Sequence, residues 1–130
     1  MTTIDRSTVT ALFDSYAQAL SVIDLDALAD CYSYPALALT RQGRQAVTSA
    51  DQTRAFFAAN GPAYHARGIL AVRITNLRPA YDSDGLWVGL ADLENLDAAG
   101  AVVDIETNAY QLVGDDQGWT IAVTTPLEPH

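Results

Sequence analysis

The ten residues Asp104–Val113, "DIETNAYQLV", alternate in character: Asp104, Glu106, Asn108 and Tyr110 in one set, Ile105, Thr107, Ala109 and Gln111 in the other. Successive side chains of a β-strand point to opposite faces, so a period of two reads as a strand. Two readings follow. With the polar set in water, the segment is an ordinary surface strand. With it turned inward, the protein holds a wet pocket.

Around it, from Ile69 onward, lie four long strand-like runs: "ILAVRITNLRPAY", "GLWVGLADLENLD", "AVVDIETNAYQLV" and "GWTIAVTTPL". The links "DSDG", "AAG" and "GDDQG" are short and turn-forming. Consecutive strands joined this way form an antiparallel meander.

The first half reads differently. Ile4, Val9, Leu12, Phe13, Tyr16, Ala19, Leu20 and Ile23 recur at helical spacing and predict an amphipathic helix, with Asp5 or Ser7 as its cap. Asp24 is placed to cap a short second helix, whose buried side is Leu25, Leu28 and Cys31 or Tyr32. Pro35 lacks an amide hydrogen, so that helix is expected to end just before it. "ALALT", "RQG" and "RQAVTS" read as a hairpin turning at Gly43. Ser49 or Asp51 opens a third helix, which "NGP" at 60–62 is expected to interrupt, with "AYHARG" adding one more turn. Helices first and strands after define an α+β domain, with the helices packed on one face of a curved sheet. We find no repeat or domain boundary, so residues 1–130 read as a single domain.

Composition removes several function classes. The 130 residues carry a net charge of −9, with seven arginines as the whole basic complement. Such a chain repels phosphate backbones and anionic bilayers, so neither nucleic acid nor membrane is an expected partner. No run approaches the roughly 20 apolar residues of a membrane span, and "MTTIDRSTVT" lacks the pattern of a secretory leader. A cytoplasmic location is the expectation. One cysteine (Cys31) and two histidines form no metal-ligand set, and Cys31 reads as a buried thiol.

The order of elements resembles the NTF2-like superfamily, in particular its SnoaL-like, scytalone-dehydratase-like and steroid-isomerase-like group. "YAQALSVIDLDALADCY" is similar to that group's first helix, connecting turn and helix-opening aspartate. "AYHARGILAVRI" is similar to the entry into its first long strand, and "TNAYQLVGDDQGWTIAVTTP" to its last hairpin. The resemblance implies a cone-shaped α+β barrel with three N-terminal helices on a strongly curved, mainly antiparallel sheet. It implies a pocket between them, and it sets the phase of the opening strand. Asn108 then faces inward at the position where dehydratase-like members carry a pocket asparagine, and Glu106, Tyr110 and Leu112 share its face.

His65 falls where those members carry a catalytic histidine. An imidazole there suits proton transfer near neutral pH; the plainer reading is an exposed histidine at a helix end. Tyr16 aligns with the tyrosine that donates to an oxyanion in steroid isomerases, although a tyrosine on an apolar helix face is also a common core residue. Tyr32 and Tyr34 are nearby. Thr40 stands where the steroid-isomerase pattern needs a carboxylate and the dehydratase pattern a tyrosine, so the usual catalytic set is incomplete. Glu106 in an apolar cone suits acid/base work; for Asp104 an ion pair with Arg73 or Arg78 is the simpler expectation, and Asp92 and Glu94 share that ambiguity. Trp87 and Trp119 read as core.

These readings assign His65 and Asn108 to catalysis and Tyr16, Tyr32, Thr40, Glu106, Tyr110, Leu112 and Val123 to ligand binding. The expected ligand is a small hydrophobic, oxygen-bearing molecule. No cofactor is implied. The expected activity is that of a cofactor-independent dehydratase, isomerase or cyclase, and the alternative is a non-catalytic binding or assembly module. The same phase turns Val103, Ile105 and Ala109 outward, and an apolar outer sheet face implies a homodimer.

Overall fold

The computed structural model describes residues 6–127. Helix α1 is Arg6–Val22, α2 is Leu25–Asp30 and α3 is Ala50–Ala66. The strands are β1 (Tyr32–Thr40), β2 (Gly43–Val47), β3 (Ala71–Ser83), β4 (Leu86–Leu96), β5 (Val102–Asp115) and β6 (Gly118–Leu127). They form one six-stranded sheet in the order β2-β1-β6-β5-β4-β3. All neighbours are antiparallel except β1 and β6, which run parallel. The α+β class, the three leading helices and the meander of four strands agree with the sequence reading.

Local signals act where they were expected. Asp24 has extended backbone angles and its carboxylate accepts from the Ala27 amide at 3.1 Å, which caps α2. Ser49 caps α3 by accepting from the Gln52 amide at 3.3 Å. The proposed cap Asp5, the apolar residue Ile4 and the Ser7 side chain lie outside the described residues. Pro35 sits within β1, not just beyond α2, at the irregularity between Tyr32 and Leu37 where the ladder to β6 shifts register; a residue with no amide hydrogen fits such a gap.

The expected break at 60–62 does not occur. Helix α3 runs through Asn60, Gly61 and Pro62 to Ala66. Gly61 is buried against the Ile23 side chain; a Cβ there would lie 2.8 Å from Ile23 Cδ1. The Asn60 side-chain amide donates to the Phe56 carbonyl at 2.7 Å. Tertiary packing of that turn outweighs the local preference to stop.

The core lies at one end of the sheet. Val9 and Phe13 of α1 pack on Trp87, Tyr110, Leu112, Trp119 and Ile121, all buried. Phe13 meets Trp87 and Tyr110 edge-on, at centroid distances of 5.5 and 5.3 Å. The Trp119 indole donates to the Thr8 hydroxyl at 2.8 Å, which ties the last hairpin to α1. Helix α3 packs chiefly on α2 and not on the sheet. A space therefore remains between α3 and the inner sheet face.

The outer face mixes charge with exposed apolar groups. Arg73 pairs with Glu94, and Arg78 with Asp92. Asp92 also accepts from Asn76 and Thr107. The Arg78 guanidinium, with these donors, holds the Asp92 carboxyl down at about 2. Around these pairs Val103, Ile105, Val113 and Leu86 stand exposed.

One position tests how tightly the β3–β4 pairing is built. Gly89 lies beside the bulged part of β3, and a Cβ there would approach the Arg78 carbonyl oxygen to 2.6 Å and Pro79 Cα to 2.9 Å. Backbone atoms have little room to yield. Gly89→Ala is expected to lower unfolding free energy by about 1–3 kcal/mol, read as a drop in urea midpoint. Unchanged stability would mean that the two strands separate freely here.

Candidate functional site

The register of β4 against β5 turns the polar set of the opening strand inward. Glu106 pairs with Leu93, Asn108 with Ala91, Tyr110 with Gly89 and Leu112 with Trp87. The partners Leu93, Ala91 and Trp87 are buried, so this is the core-facing side. The strand is divided along its length. Tyr110 and Leu112 are sealed in the apolar end, while Glu106 and Asn108 border a cavity of about 660 Å³.

The cavity lies between the second half of α1, α2, α3 and the sheet. Leu20, Ile23, Phe57, Ile69, Val72 and Leu93 supply apolar wall. Tyr16 and Tyr32 both line it, and their hydroxyls are 2.6 Å apart. Burial raises the pKa of both phenols, so both stay neutral. Tyr34 does not border the cavity: its hydroxyl donates to the Ala29 carbonyl at 2.9 Å and pairs with Thr53 at 2.8 Å.

Asn108 lines the cavity, and its Nδ2 donates to the Tyr110 hydroxyl at 3.0 Å. That contact spends one donor of the amide on the sealed tyrosine and orients the group. His65 is exposed, in the last turn of α3, and borders the same cavity. Thr40 stands at the exposed end of β1, on the cavity margin, where its hydroxyl engages the hairpin backbone through Gly43 and Gln42. Tyr16, Tyr32, Thr40, His65, Glu106 and Asn108 are thus brought to one cavity.

Three assigned residues are not on its wall. Tyr110 and Leu112 face inward but belong to the packed core below it. Val123 lies on the other side of the sheet. Leu112 pairs with Ile121 and Gln111 with Val123, so Ala122 is an extra residue in β6. This bulge reverses the alternation. Thr124, opposite Tyr110, takes the inward place, and Thr124 lines the cavity.

Two residues complete a polar cluster that sequence reasoning missed. Tyr64 donates from α3 to Glu106, at 3.2 and 3.4 Å to its two oxygens. Burial, and then the Glu106 carboxylate, push the Tyr64 phenol up to about 12. Asn95 of β4, 1% exposed, donates through Nδ2 to Asp104 at 2.7 Å and to Glu106 at 3.2 Å. Its Oδ1 is buried without a hydrogen-bond partner. Asp104 is ion-paired with Arg67, not with Arg73 or Arg78 as expected. A polar residue in phase with Leu93 and Ala91 was the available signal for Asn95. Tyr64 carried none beyond its adjacency to His65.

Among the described residues no cluster of histidine, cysteine and carboxylate side chains is arranged to hold a metal ion. No helix among them is long and apolar enough to cross a membrane.

This architecture, three helices enclosing a cavity against a mixed six-stranded sheet, is that of the NTF2-like, cystatin-like class. Residues 5–129 match the family described as NTF2-like protein (DUF6841), and the chain belongs to it. It is similar to a function-unknown protein from Mycobacterium tuberculosis, with 17% identity and a TM-score of 0.69 over 95% of this chain and 71% of that one. An NTF2-like protein with a cystatin-like fold from Novosphingobium aromaticivorans superposes with a TM-score of 0.72 at 12% identity, over 94% of this chain and 80% of that one. LinA does so with a TM-score of 0.67 at 14% identity, over 96% and 86%. Identities this low establish the fold alone. No functionally curated protein matches the chain in sequence.

Proposed function

We propose that the chain is a small-molecule-binding domain whose cavity takes an apolar, oxygen-bearing ligand. The observation that carries this reading is the cavity itself. Its volume of about 660 Å³ falls within the roughly 300–1,000 Å³ typical of ligand sites. Its wall is mostly apolar, with a few polar groups placed together: the Tyr16–Tyr32 hydroxyl pair, the Asn108 amide and the Glu106 carboxylate. Neutral hydroxyls and an amide suit a ligand oxygen, and the apolar wall suits the rest of the molecule.

The test is a titration with Nile red, a neutral fluorophore that brightens in apolar surroundings. Binding with about one site per chain is expected. Ala38→Trp, which places an indole on the cavity wall from β1, is expected to abolish it. Equal binding by the variant would move the ligand site elsewhere.

A catalytic reading is supported by His65 of α3 bordering the same cavity as Glu106 and Asn108 of β5. In it the chain is a cofactor-independent dehydratase, isomerase or cyclase, akin to the SnoaL-like and scytalone-dehydratase-like group. Asn108 holds an oxygen and His65 moves a proton. On a substrate that the wild-type protein turns over, His65→Ala is then expected to lower turnover about a hundredfold or more. Unchanged turnover would remove His65 from the mechanism.

The outer sheet face is proposed as a homodimer surface. Val103 and Ile105 near one end of β5, and Val113 with its partner Leu86 near the other, are exposed on this face, and burial against a second copy removes them from water. Sedimentation at tens of micromolar is expected to give a dimer. A monomer at that concentration would overturn this assignment.

A further inference from the structure

Glu106 is a carboxylate on the wall of an apolar cavity, and its protein partners are neutral. Tyr64 donates a hydroxyl and Asn95 an amide hydrogen. Among the described residues no arginine or histidine forms an ion pair with it. The neighbouring cation, Arg67, is held by Asp104. A carboxylate taken from water is stabilised most by a cation with hydrogens to donate.

Asn95 fixes one side of this carboxylate. Its amide orientation is set by two carboxylates, since a carbonyl oxygen placed 2.7 Å from Asp104 Oδ1 would set acceptor against acceptor. Oδ1 therefore occupies the other branch of the amide, buried and unpartnered, one amide width from the hydrogen that Glu106 accepts. Asn95 and Glu106 border the same cavity.

We infer that this cavity accepts the ammonium group of a small amphiphilic amine at Glu106, with its apolar body against the cavity wall. The inference rests on the reading of the cavity as a small-molecule site and names the chemistry of its ligand. An ammonium brings a positive charge and three N–H donors to the Glu106 carboxylate. An alcohol carries no charge and one donor. A carboxylate carries none, and the donors of Tyr64 and Asn95 are already committed to Glu106 and Asp104. The Tyr64 ring already attracts one cation: the Arg67 guanidinium lies 5.8 Å from its centroid. The net charge of −9 adds a general attraction for cations. The opposing charge on the cavity margin is Arg44 of β2, three strands from β5, or roughly 14 Å along the sheet at about 4.8 Å per strand.

The experiment compares three probes of nearly one shape, 2-phenylethylamine, 2-phenylethanol and 3-phenylpropanoate, by calorimetry on the full chain at neutral pH. The amine is expected to bind at least tenfold more tightly than the alcohol, and the carboxylate most weakly. Glu106→Gln is expected to erase the amine's advantage over the alcohol. Tyr64→Phe, which removes a competing donor to Glu106, is expected to bind the amine at least as tightly as wild type. Equal binding of amine and carboxylate, an amine affinity untouched by Glu106→Gln, or no amine binding at millimolar concentration would each overturn the inference. Loss of Nile red binding from the wild-type cavity would instead overturn the underlying small-molecule reading.

Discussion

Phe13 sits edge-on against both Trp87 and Tyr110, and this contact holds α1 across β4 and β5. It seals one end of the sheet with large buried side chains. Because α1 is anchored there, its later turns carry Tyr16 and Leu20 over the open end, with Ile23 just past the helix, where α3 leans on α2 instead of on the sheet. The cavity is the space left by that arrangement. A bulky aromatic cluster at one end and a helix held off the sheet at the other are two consequences of one packing choice.

The same division runs along β5. Tyr110 and Leu112 belong to the sealed half, Glu106 and Asn108 to the open one. A strand that is polar and apolar in succession on a single face is unusual for a simple sheet, where the inner face is expected to be apolar throughout. Here the polar half is stabilised by specific partners: Tyr64 from α3, Asn95 from β4, and Asp104 with Arg67 behind them. Such a cluster in low-dielectric surroundings fixes side-chain positions strongly when satisfied. The one acceptor left over, Asn95 Oδ1, belongs to a residue that borders the cavity. The outer face has the opposite logic, with its charges paired as Arg73–Glu94 and Arg78–Asp92 and its apolar residues left exposed.

Much of this was legible in residue order. The alternation in "DIETNAYQLV" marked a strand, the caps Asp24 and Ser49 marked helix starts, and the short glycine-bearing links marked the meander. The inward phase of Glu106 and Asn108 came from the resemblance and not from alternation, because a period of two says nothing about which face is covered. The errors share a cause. Pro62 stops an isolated helix, but Gly61 packed on Ile23 keeps this one continuous. Val123 follows the alternation of its strand until Ala122 is squeezed into a bulge.

The sequence by itself determined the element types and the helix-then-strand order, because propensity, capping and periodicity act over a few neighbouring residues. Tertiary structure alone decided which side chains meet. Tyr64 reaches Glu106 across 42 positions and Arg67 reaches Asp104 across 37. The parallel pairing of β1 with β6 joins residues still further apart, such as Tyr32 and Ile121. These contacts depend on register, on one bulge and on how far a helix stands off a sheet, and none of those quantities is written in any local stretch of the chain.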